Sequence, residues 1–217
     1  MLAQASQAWS NLDPGLRPGH VLPLLAGRTV AVALRCLGRP EAAEASRRSY
    51  ENHLNSWGAD HERSLAASIS HVNSLRAQAR FGEAWSLAVD VQDTYRRRFG
   101  WRHPVTAASS VVLAGTLRGL GRSREAQELD EPAFHDLTSI LGSDHPYTVA
   151  AANGLASDRL ATGSIAAARS LAAHTADRAA HRYGEHPITS ACRANAAVVT
   201  AGVDGSWIEL DVEPPPA

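Results

Sequence analysis

Histidine is the most regularly spaced residue of this sequence that can do chemistry, because its imidazole binds metals and transfers protons. Four histidines follow one another at steps of 42, 42 and 41 residues: His61, His103, His145 and His186. A zinc ion holds its ligands at about 2.0–2.3 Å, whereas packed helices lie about 8–10 Å apart. Equivalent positions in successive repeats therefore cannot share one ion. We expect these histidines to be structural, with no metal site and no cofactor.

Arginine recurs in a second regular pattern. Three arginines each follow a histidine by 15 residues: Arg35, Arg76 and Arg118. A guanidinium binds a carboxylate through two parallel hydrogen bonds, so a row of arginines suits an acidic peptide or a free carboxylate. The alternative is that each arginine pairs with an acidic residue of a neighbouring helix, and at this point both interpretations are open.

The common sequence motifs of catalysis are missing. The sequence contains no G-x-S-x-G, no P-loop and no G-x-G-x-x-G. His61-Glu62 begins a zinc-protease pattern, but Leu65 stands where the second histidine is required. Cys36 and Cys192 form no C-x-x-C pair, which favours two separate thiols in a reducing compartment. We therefore predict no catalytic residue and no enzymatic activity.

The composition indicates a helical protein. The 217 residues include 40 Ala, only 6% are aromatic, and the formal net charge is −1. Alanine favours helix, and the balanced charge argues against a general nucleic-acid binder. The most apolar stretch, 21–37, is short and contains two arginines, so it cannot span a bilayer. The N-terminus lacks the features of a signal peptide. We expect a cytoplasmic protein that binds neither nucleic acid nor membrane.

Glycine and proline mark where the helices end and begin. A glycine precedes each junction histidine and suits the residue after a helix: Gly58, Gly100, Gly142 and Gly184. A proline follows three of the histidines and suits the first turn of the next helix: Pro104, Pro146 and Pro187. A second break is predicted within each unit, at Gly38, Gly82, Gly121 and Gly163. Each unit therefore consists of two helices.

Small residues in register support this interpretation. The position 23 residues after His20, His61, His103 and His145 is always alanine: Ala43, Ala84, Ala126 and Ala168. Close antiparallel packing of two helices requires small side chains where the axes approach. The pattern predicts helical hairpins stacked in one array.

The sequence resembles a known family at these junctions. Leu141-Gly-Ser-Asp-His-Pro146, Thr148, Leu155-Ala156, Gly163 and Ala168 are similar to the 42-residue tetratricopeptide repeat of kinesin light chains and of actinobacterial multi-repeat proteins. The resemblance covers roughly 20–205. It implies an all-α tetratricopeptide-repeat superhelix, or α-solenoid, of about four helical hairpins with an extended C-terminal tail.

The resemblance also implies a domain division. We predict an N-terminal capping helix and linker over 1–19 and an extended, Pro-rich tail over 206–217. The repeats between them are 20–60, 61–102, 103–144, 145–185 and a half repeat, 186–205. Because the half repeat has no second helix to cover it, we expect Trp207 to dock on the exposed end of the array. The alternative is a frayed terminus.

The family lines its concave groove with the first helix of each repeat. Applied to this sequence, that register predicts a peptide-binding groove formed by Arg35, Asn73, Arg76, Arg118, Asn153 and Ser157. The implied function is a non-catalytic adaptor or scaffold that binds a protein or peptide segment, acidic or with a free carboxylate. Two alternatives remain: a ligand-responsive regulatory region of a STAND-like signalling system, and an accessory protein or enzyme in peptide or natural-product modification. The sequence does not determine the oligomeric state.

Overall fold

The computed structural model describes residues 20–201 and 206–214, and its regular secondary structure over these ranges is entirely α-helical. The helices are α1 (Val21–Cys36), α2 (Ala42–Trp57), α3 (Glu62–Ala77), α4 (Phe81–Phe99), α5 (Pro104–Gly119), α6 (Ser123–Leu141), α7 (Pro146–Ala161), α8 (Ile165–Tyr183) and α9 (Pro187–Ala201). The odd-numbered helices are the first helices of the predicted repeats. The all-α prediction of four helical hairpins with an extended tail is confirmed, with α9 following the fourth hairpin.

Two predicted elements fall wholly or partly outside these ranges. The capping helix predicted within 1–19 lies outside the described residues, as do the last three residues of the tail. The limits predicted for the individual repeats stay predictions.

Every first helix begins with a histidine cap. The Nδ1 atoms of His20, His61, His103, His145 and His186 accept the backbone N–H two residues further on, at 3.2–3.3 Å. The first N–H groups of a helix have no partner within it, so a side-chain acceptor at this position stabilises the helix start. Pro104, Pro146 and Pro187 follow three of these caps at the first helical position.

Left-handed residues end the helices, and one of them differs from the prediction. Gly38, Gly121 and Gly163 have φ values of 63°, 74° and 89° in the turns within their hairpins. In the second hairpin the residue with positive φ is Ala79, at 57°, whereas Gly82 lies inside α4. The predicted break at Gly82 is therefore wrong. The turn occurs three residues earlier, at the position that corresponds to the other glycines.

The described chain divides into two units, and the division falls within α4. The N-terminal unit contains 20–94 together with 213–214. Within it α1 packs on α2, α2 on α3, and α1 on α3. Its core includes Leu24, Leu65, Ile69 and Val72, each at most 3% exposed. This packing holds the first helices α1 and α3 side by side.

The C-terminal unit contains 95–201 and 206–212. Consecutive helices from α5 to α9 pack on one another, and the first helices α5, α7 and α9 also touch in sequence. Ala126 and Ala168 are fully buried, as close helix packing requires, and so is Ala84 in the part of α4 that belongs to the N-terminal unit. The corresponding Ala43 of the N-terminal unit is half-buried. The first helices thus form one face, on which the tail lies.

Candidate functional site

The tail of the C-terminal unit is an extended segment held by its backbone. Asn195 of α9 accepts the N–H of Ile208 at 2.8 Å and donates to the carbonyl oxygen of the same residue at 2.7 Å. Asn153 of α7 donates to that oxygen at 3.0 Å. The amide group of Asn195 also donates to Oδ1 of Asn153 at 2.7 Å. We call Asn153 and Asn195 the amide clamp.

Without a bound backbone segment, the buried amides of the clamp would lose hydrogen bonds, which is unfavourable in free energy. Asn153 and Asn195 are 4% and 1% exposed, and a buried amide without partners costs roughly 1–3 kcal/mol for each lost hydrogen bond. The clamp offers a donor and an acceptor to one residue, as the edge of a β-sheet does. It therefore recognises an extended backbone and leaves the side chain at that position, Ile208, 44% exposed.

The next tail residue binds through its carboxylate. Glu209 receives two hydrogen bonds from Arg118 of α5, Nε to Oε1 at 2.8 Å and Nη2 to Oε2 at 3.1 Å. The third nitrogen, Nη1, contacts Oδ2 of Asp130 at 2.6 Å and Oδ2 of Asp158 at 3.1 Å. Asp130 lies on α6 and Asp158 on α7. We call these four residues the acid cluster.

The acid cluster has an excess of negative charge. Its three carboxyl groups surround one guanidinium, and the side chains of Asp130 and Asp158 are completely buried. Within the described residues, Oδ1 of each aspartate finds no hydrogen-bond donor. Burial raises the pKa of Asp158 to about 6, although Arg118 opposes the shift. Burial also raises the pKa of Asp130. Both aspartates therefore resist ionisation in this site.

Space for the acid cluster depends on one glycine. A Cβ atom at Gly154 of α7 would lie 2.5 Å from Oδ2 of Asp130 and 2.6 Å from Nη2 of Arg118. A Cβ atom at these distances would force the Asp130 carboxylate and the Arg118 guanidinium to shift. Gly154 follows Asn153 directly, so adjacent residues of α7 supply part of the amide clamp and the room for the ion pair.

Apolar contacts fix the tail on either side of these polar groups. Trp207 packs against a buried cluster formed by Ala156, Ala168, Ala172 and Val199 of α7, α8 and α9. Leu210 packs against a second cluster that contains Val149 and Cys192. The indole of Trp207 thus lies against α7, α8 and α9. That it covers the exposed end of the array in place of a missing helix stays a prediction.

The N-terminal unit binds a second tail carboxylate. Glu213 receives hydrogen bonds from Ser70 at 2.7 Å and from Asn73 at 2.9 Å. Its carboxylate also lies 2.7 Å from Nη2 of Arg35 and 3.4 Å from Nη2 of Arg28. Arg28 donates in addition to the carbonyl oxygen of Pro214 at 2.6 Å. We call Arg28, Arg35, Ser70 and Asn73 the Glu213 site.

The residues predicted for the groove have different roles in this arrangement. Arg35 and Asn73 belong to the Glu213 site, Arg118 to the acid cluster and Asn153 to the amide clamp. Arg76 donates to Oδ1 of Asn73 at 3.2 Å, which turns the amide nitrogen of Asn73 toward Glu213. Ser157 is half-buried beside Asp158. In the described residues Arg35 and Arg118 both pair with acids of the chain itself.

Sequence reasoning missed half of the contacts around the tail. The missed residues are Arg28, Ser70, Asp130, Gly154, Asp158 and Asn195. The repeat spacing could have identified Arg28 as a residue of the same helix face as Asn153, because Arg28 follows His20 by eight residues and Asn153 follows His145 by eight. A second signal was the tail itself, where Glu209 and Glu213 offer carboxylates to a protein rich in arginine.

The remaining predicted residues lie at the helix junctions. His61, His103, His145 and His186 cap helices, and burial lowers the pKa of His145. No group of three metal-ligating side chains occurs in 20–201 or 206–214. None of the helices described above is long and apolar enough to cross a membrane.

The comparisons with known proteins agree with the repeat pattern. Residues 106–147 match the sequence model of the family described as tetratricopeptide repeat. No curated protein sequence matches the chain significantly.

Several solved structures share the fold. One is a single-substitution variant of a Podosopora anserina protein, described as a kinesin light chain with nearly identical TPR-like repeats, and its sequence is 24% identical to this one. The two structures align with a TM-score of 0.63, which covers 83% of this chain and 85% of that chain. A second structure of that description is 23% identical, with a TM-score of 0.61 over 85% and 88% of the two chains. BtubC (BKLC) from P. vanneervenii is 12% identical, with a TM-score of 0.68 over 92% of this chain and 82% of that one.

Proposed function

We propose that this chain, whose residues 106–147 match the tetratricopeptide-repeat model and whose fold is similar to that of kinesin-light-chain repeat structures, is a non-catalytic adaptor that binds an extended protein or peptide segment along its first helices. Arrays of this kind present a continuous surface for partners. The observation that carries the proposal is the amide clamp. Two buried asparagines bind both backbone groups of one extended residue, a chemistry that suits peptide recognition.

The contacts of the tail support a preference for acidic segments. Glu209 and Glu213 are each bound by arginine together with neutral donors or a buried ion pair. A carboxylate held in two parallel hydrogen bonds is bound more strongly than a neutral group. We infer that partner segments carry an acidic side chain directly after the residue in the amide clamp.

A direct test requires a chain whose own tail is weakened. The open-tail chain is the full-length protein with Ile208→Pro, Glu209→Gln and Glu213→Gln, which remove the clamped N–H and both bound carboxylates. The probe is a rhodamine-labelled peptide with the wild-type sequence of residues 206–214. Fluorescence anisotropy at pH 7.5 measures its dissociation constant. We expect saturable binding that weakens as salt rises, because the contacts are partly ionic.

Variants of the open-tail chain locate the binding face. Asn153→Ala removes hydrogen bonds worth about 1 kcal/mol each, so binding should weaken by about tenfold. Asn55→Ala, an exposed asparagine of α2, is the matched control and should leave binding unchanged. Arg76→Ala should weaken binding more than Arg97→Ala, since Arg76 orients Asn73 and Arg97 is exposed on α4. Equal losses at Asn153 and Asn55, or no binding at all, would contradict the proposal.

One observation favours a second candidate function, a ligand-responsive regulatory region. The face is occupied by 206–212 in the C-terminal unit, so a partner that binds there must displace the tail. Hydrogen exchange of the wild-type chain measures this displacement. With the peptide in excess, faster exchange of the Ile208 amide supports a regulatory role, and unchanged exchange at saturating peptide contradicts it.

A further inference from the structure

The acid cluster holds more negative charge than its guanidinium can balance. Arg118 carries one positive charge, whereas Asp130, Asp158 and Glu209 carry three negative charges when all are ionised. Both aspartate side chains are fully buried, and Oδ1 of each finds no donor within the described residues. Taking an unbalanced charge out of water is costly, and protonation removes that cost.

The groups that face the two aspartates can be named for each neighbouring element. Arg118 comes from α5, Asp130 from α6, Asp158 from α7 and Glu209 from the tail. The buried residues of α8 are uncharged: Ala168, Ala172, Thr175, Ala176 and Ala179. Arg159 of α7 pairs with Glu131 of α6 at 2.7 Å on the exposed side, where both charges are already matched. The charge of the cluster therefore depends on whether Glu209, or a ligand's carboxylate, is bound.

We propose that the acid cluster is a proton-linked binding site, in which a carboxylate ligand binds Arg118 together with one proton taken up by the Asp130–Asp158 pair. The inference rests on the proposed function, because it concerns the same face. Without a ligand, one guanidinium faces two aspartates. When a third carboxylate arrives, one aspartate becomes a carboxylic acid, and the formal charge of the site is −1 instead of −2. No covalent bond is formed or broken between the ligand and the protein.

The direction of the pH effect follows from this balance. Since binding takes up a proton, affinity for the acidic ligand increases as pH falls through neutrality. The raised pKa values of Asp130 and Asp158 agree with this window. One proton changes affinity at most tenfold per pH unit. The effect ends near pH 4.5, where the ligand's own carboxylate, with an ordinary pKa of about 4.3, is protonated.

The test measures peptide affinity of the open-tail chain at pH 7.5, 6.5 and 5.5 and constant ionic strength. We expect the wild-type 206–214 peptide to bind about 3–30-fold more tightly at pH 5.5 than at pH 7.5. A peptide with Glu209→Gln should show no such increase, whereas a peptide with Glu213→Gln should keep it. The comparison of these two peptides removes contributions from histidines elsewhere in the protein, which affect both equally.

Two further measurements make the outcome decisive. Asp158→Asn in the open-tail chain should flatten the pH dependence, provided that circular dichroism shows a folded protein. Calorimetry in two buffers of different ionisation enthalpy measures proton uptake without any substitution in the cluster's two aspartates, and we expect a net uptake at pH 6.5. Equal pH dependence for the two peptides, or zero proton uptake, would overturn the inference. Loss of peptide binding at every pH would instead overturn the proposed function.

Discussion

The Glu213 site and the acid cluster recognise the same chemical group with opposite charge balances. In the N-terminal unit two guanidiniums surround one carboxylate, and Ser70 and Asn73 supply neutral donors. In the C-terminal unit one guanidinium serves three carboxyl groups. The first arrangement attracts an acid at any pH above the ligand's own pKa. The second attracts it fully only when a proton is also bound.

Removing the arginine of each site should produce the largest changes in the free energy of unfolding, and these changes should differ between the two sites. Arg118→Met leaves two buried aspartates without their counter-ion and should lower the free energy of unfolding by about 3–5 kcal/mol. Arg35→Met leaves Glu213 with Arg28, Ser70 and Asn73, so a loss of about 1–2 kcal/mol is expected. Urea denaturation measures both, with the exposed Arg97→Met as the control. A larger loss for Arg35→Met would show that the N-terminal unit depends more on its ion pairs.

Gly154 lies against the acid cluster of the C-terminal unit, so its replacement tests the packing of that site alone. Gly154→Ala places a Cβ atom against Asp130 and Arg118, and overpacking of this kind costs about 1–3 kcal/mol. Gly82→Ala is the matched control, because a Cβ atom at that helical glycine would have no heavy atom within 4 Å. Gly82→Ala should stabilise the protein by up to about 1 kcal/mol. Thermal unfolding that moves in the same direction for both variants would argue against the tight packing at Gly154.

Replacing one carboxylate at each site should change stability in opposite directions. The pKa of Asp158 is about 6 in the folded protein and about 3.9 when unfolded, so wild-type stability from this group decreases as pH rises between these values. Asp158→Asn should therefore be more stable than wild type at pH 7.5, by about 1–2 kcal/mol. The gain should shrink as pH falls below about 6 and be nearly absent at about pH 3.5, below both pKa values.

At the other site, Glu213→Gln should be less stable than wild type at pH 7.5, because it removes the carboxylate between two guanidiniums. Chemical denaturation at both pH values tests the pair. A stabilising Glu213→Gln would contradict the charge balance described for the N-terminal unit.

The smallest expected effect concerns the α3–α4 turn, in which alanine stands where the turns of the other hairpins have glycine. Ala79 has the positive φ that Gly121 and Gly163 adopt in the C-terminal unit. Ala79→Gly should raise the free energy of unfolding by about 0.5–1 kcal/mol, because glycine accepts this conformation without a Cβ clash. Ala166→Gly, at an exposed position inside α8, should lower it by a similar amount. Calorimetric melting temperatures that fall for both would show that Ala79 is not strained.

The hairpins could be predicted from the sequence because their signals are local. A histidine cap, the following proline and the preceding glycine act within a few residues of one another, so a 42-residue repeat is visible without a structure. In the second hairpin alanine replaces the turn glycine at position 79. The sequence analysis therefore placed the turn at the nearest glycine, Gly82, which lies in a helix. The fold therefore followed from short-range chemistry, apart from one turn.

The contacts of the site could be predicted only in part, because they join distant positions. Arg28 and Glu213 are separated by 185 residues, and Arg118 and Glu209 by 91. The resemblance to the family predicted that Arg35 and Arg118 line a groove, but it carried no information about which acidic residues they meet. Asp130 and Asp158 are ordinary helix residues in the sequence, and only their burial next to Arg118 distinguishes them.

The amide clamp has a consequence for how the tail sequence that lies on this face can vary over evolution. Because the clamp binds only the N–H and carbonyl groups of Ile208, whose side chain is 44% exposed, most substitutions at this position should keep the clamp's hydrogen bonds, whereas proline removes the N–H. Its neighbours are constrained by the apolar pocket that holds Trp207 on one side and by the guanidinium of Arg118 on the other. A search for binding motifs should therefore allow a free position between an aromatic and an acidic residue.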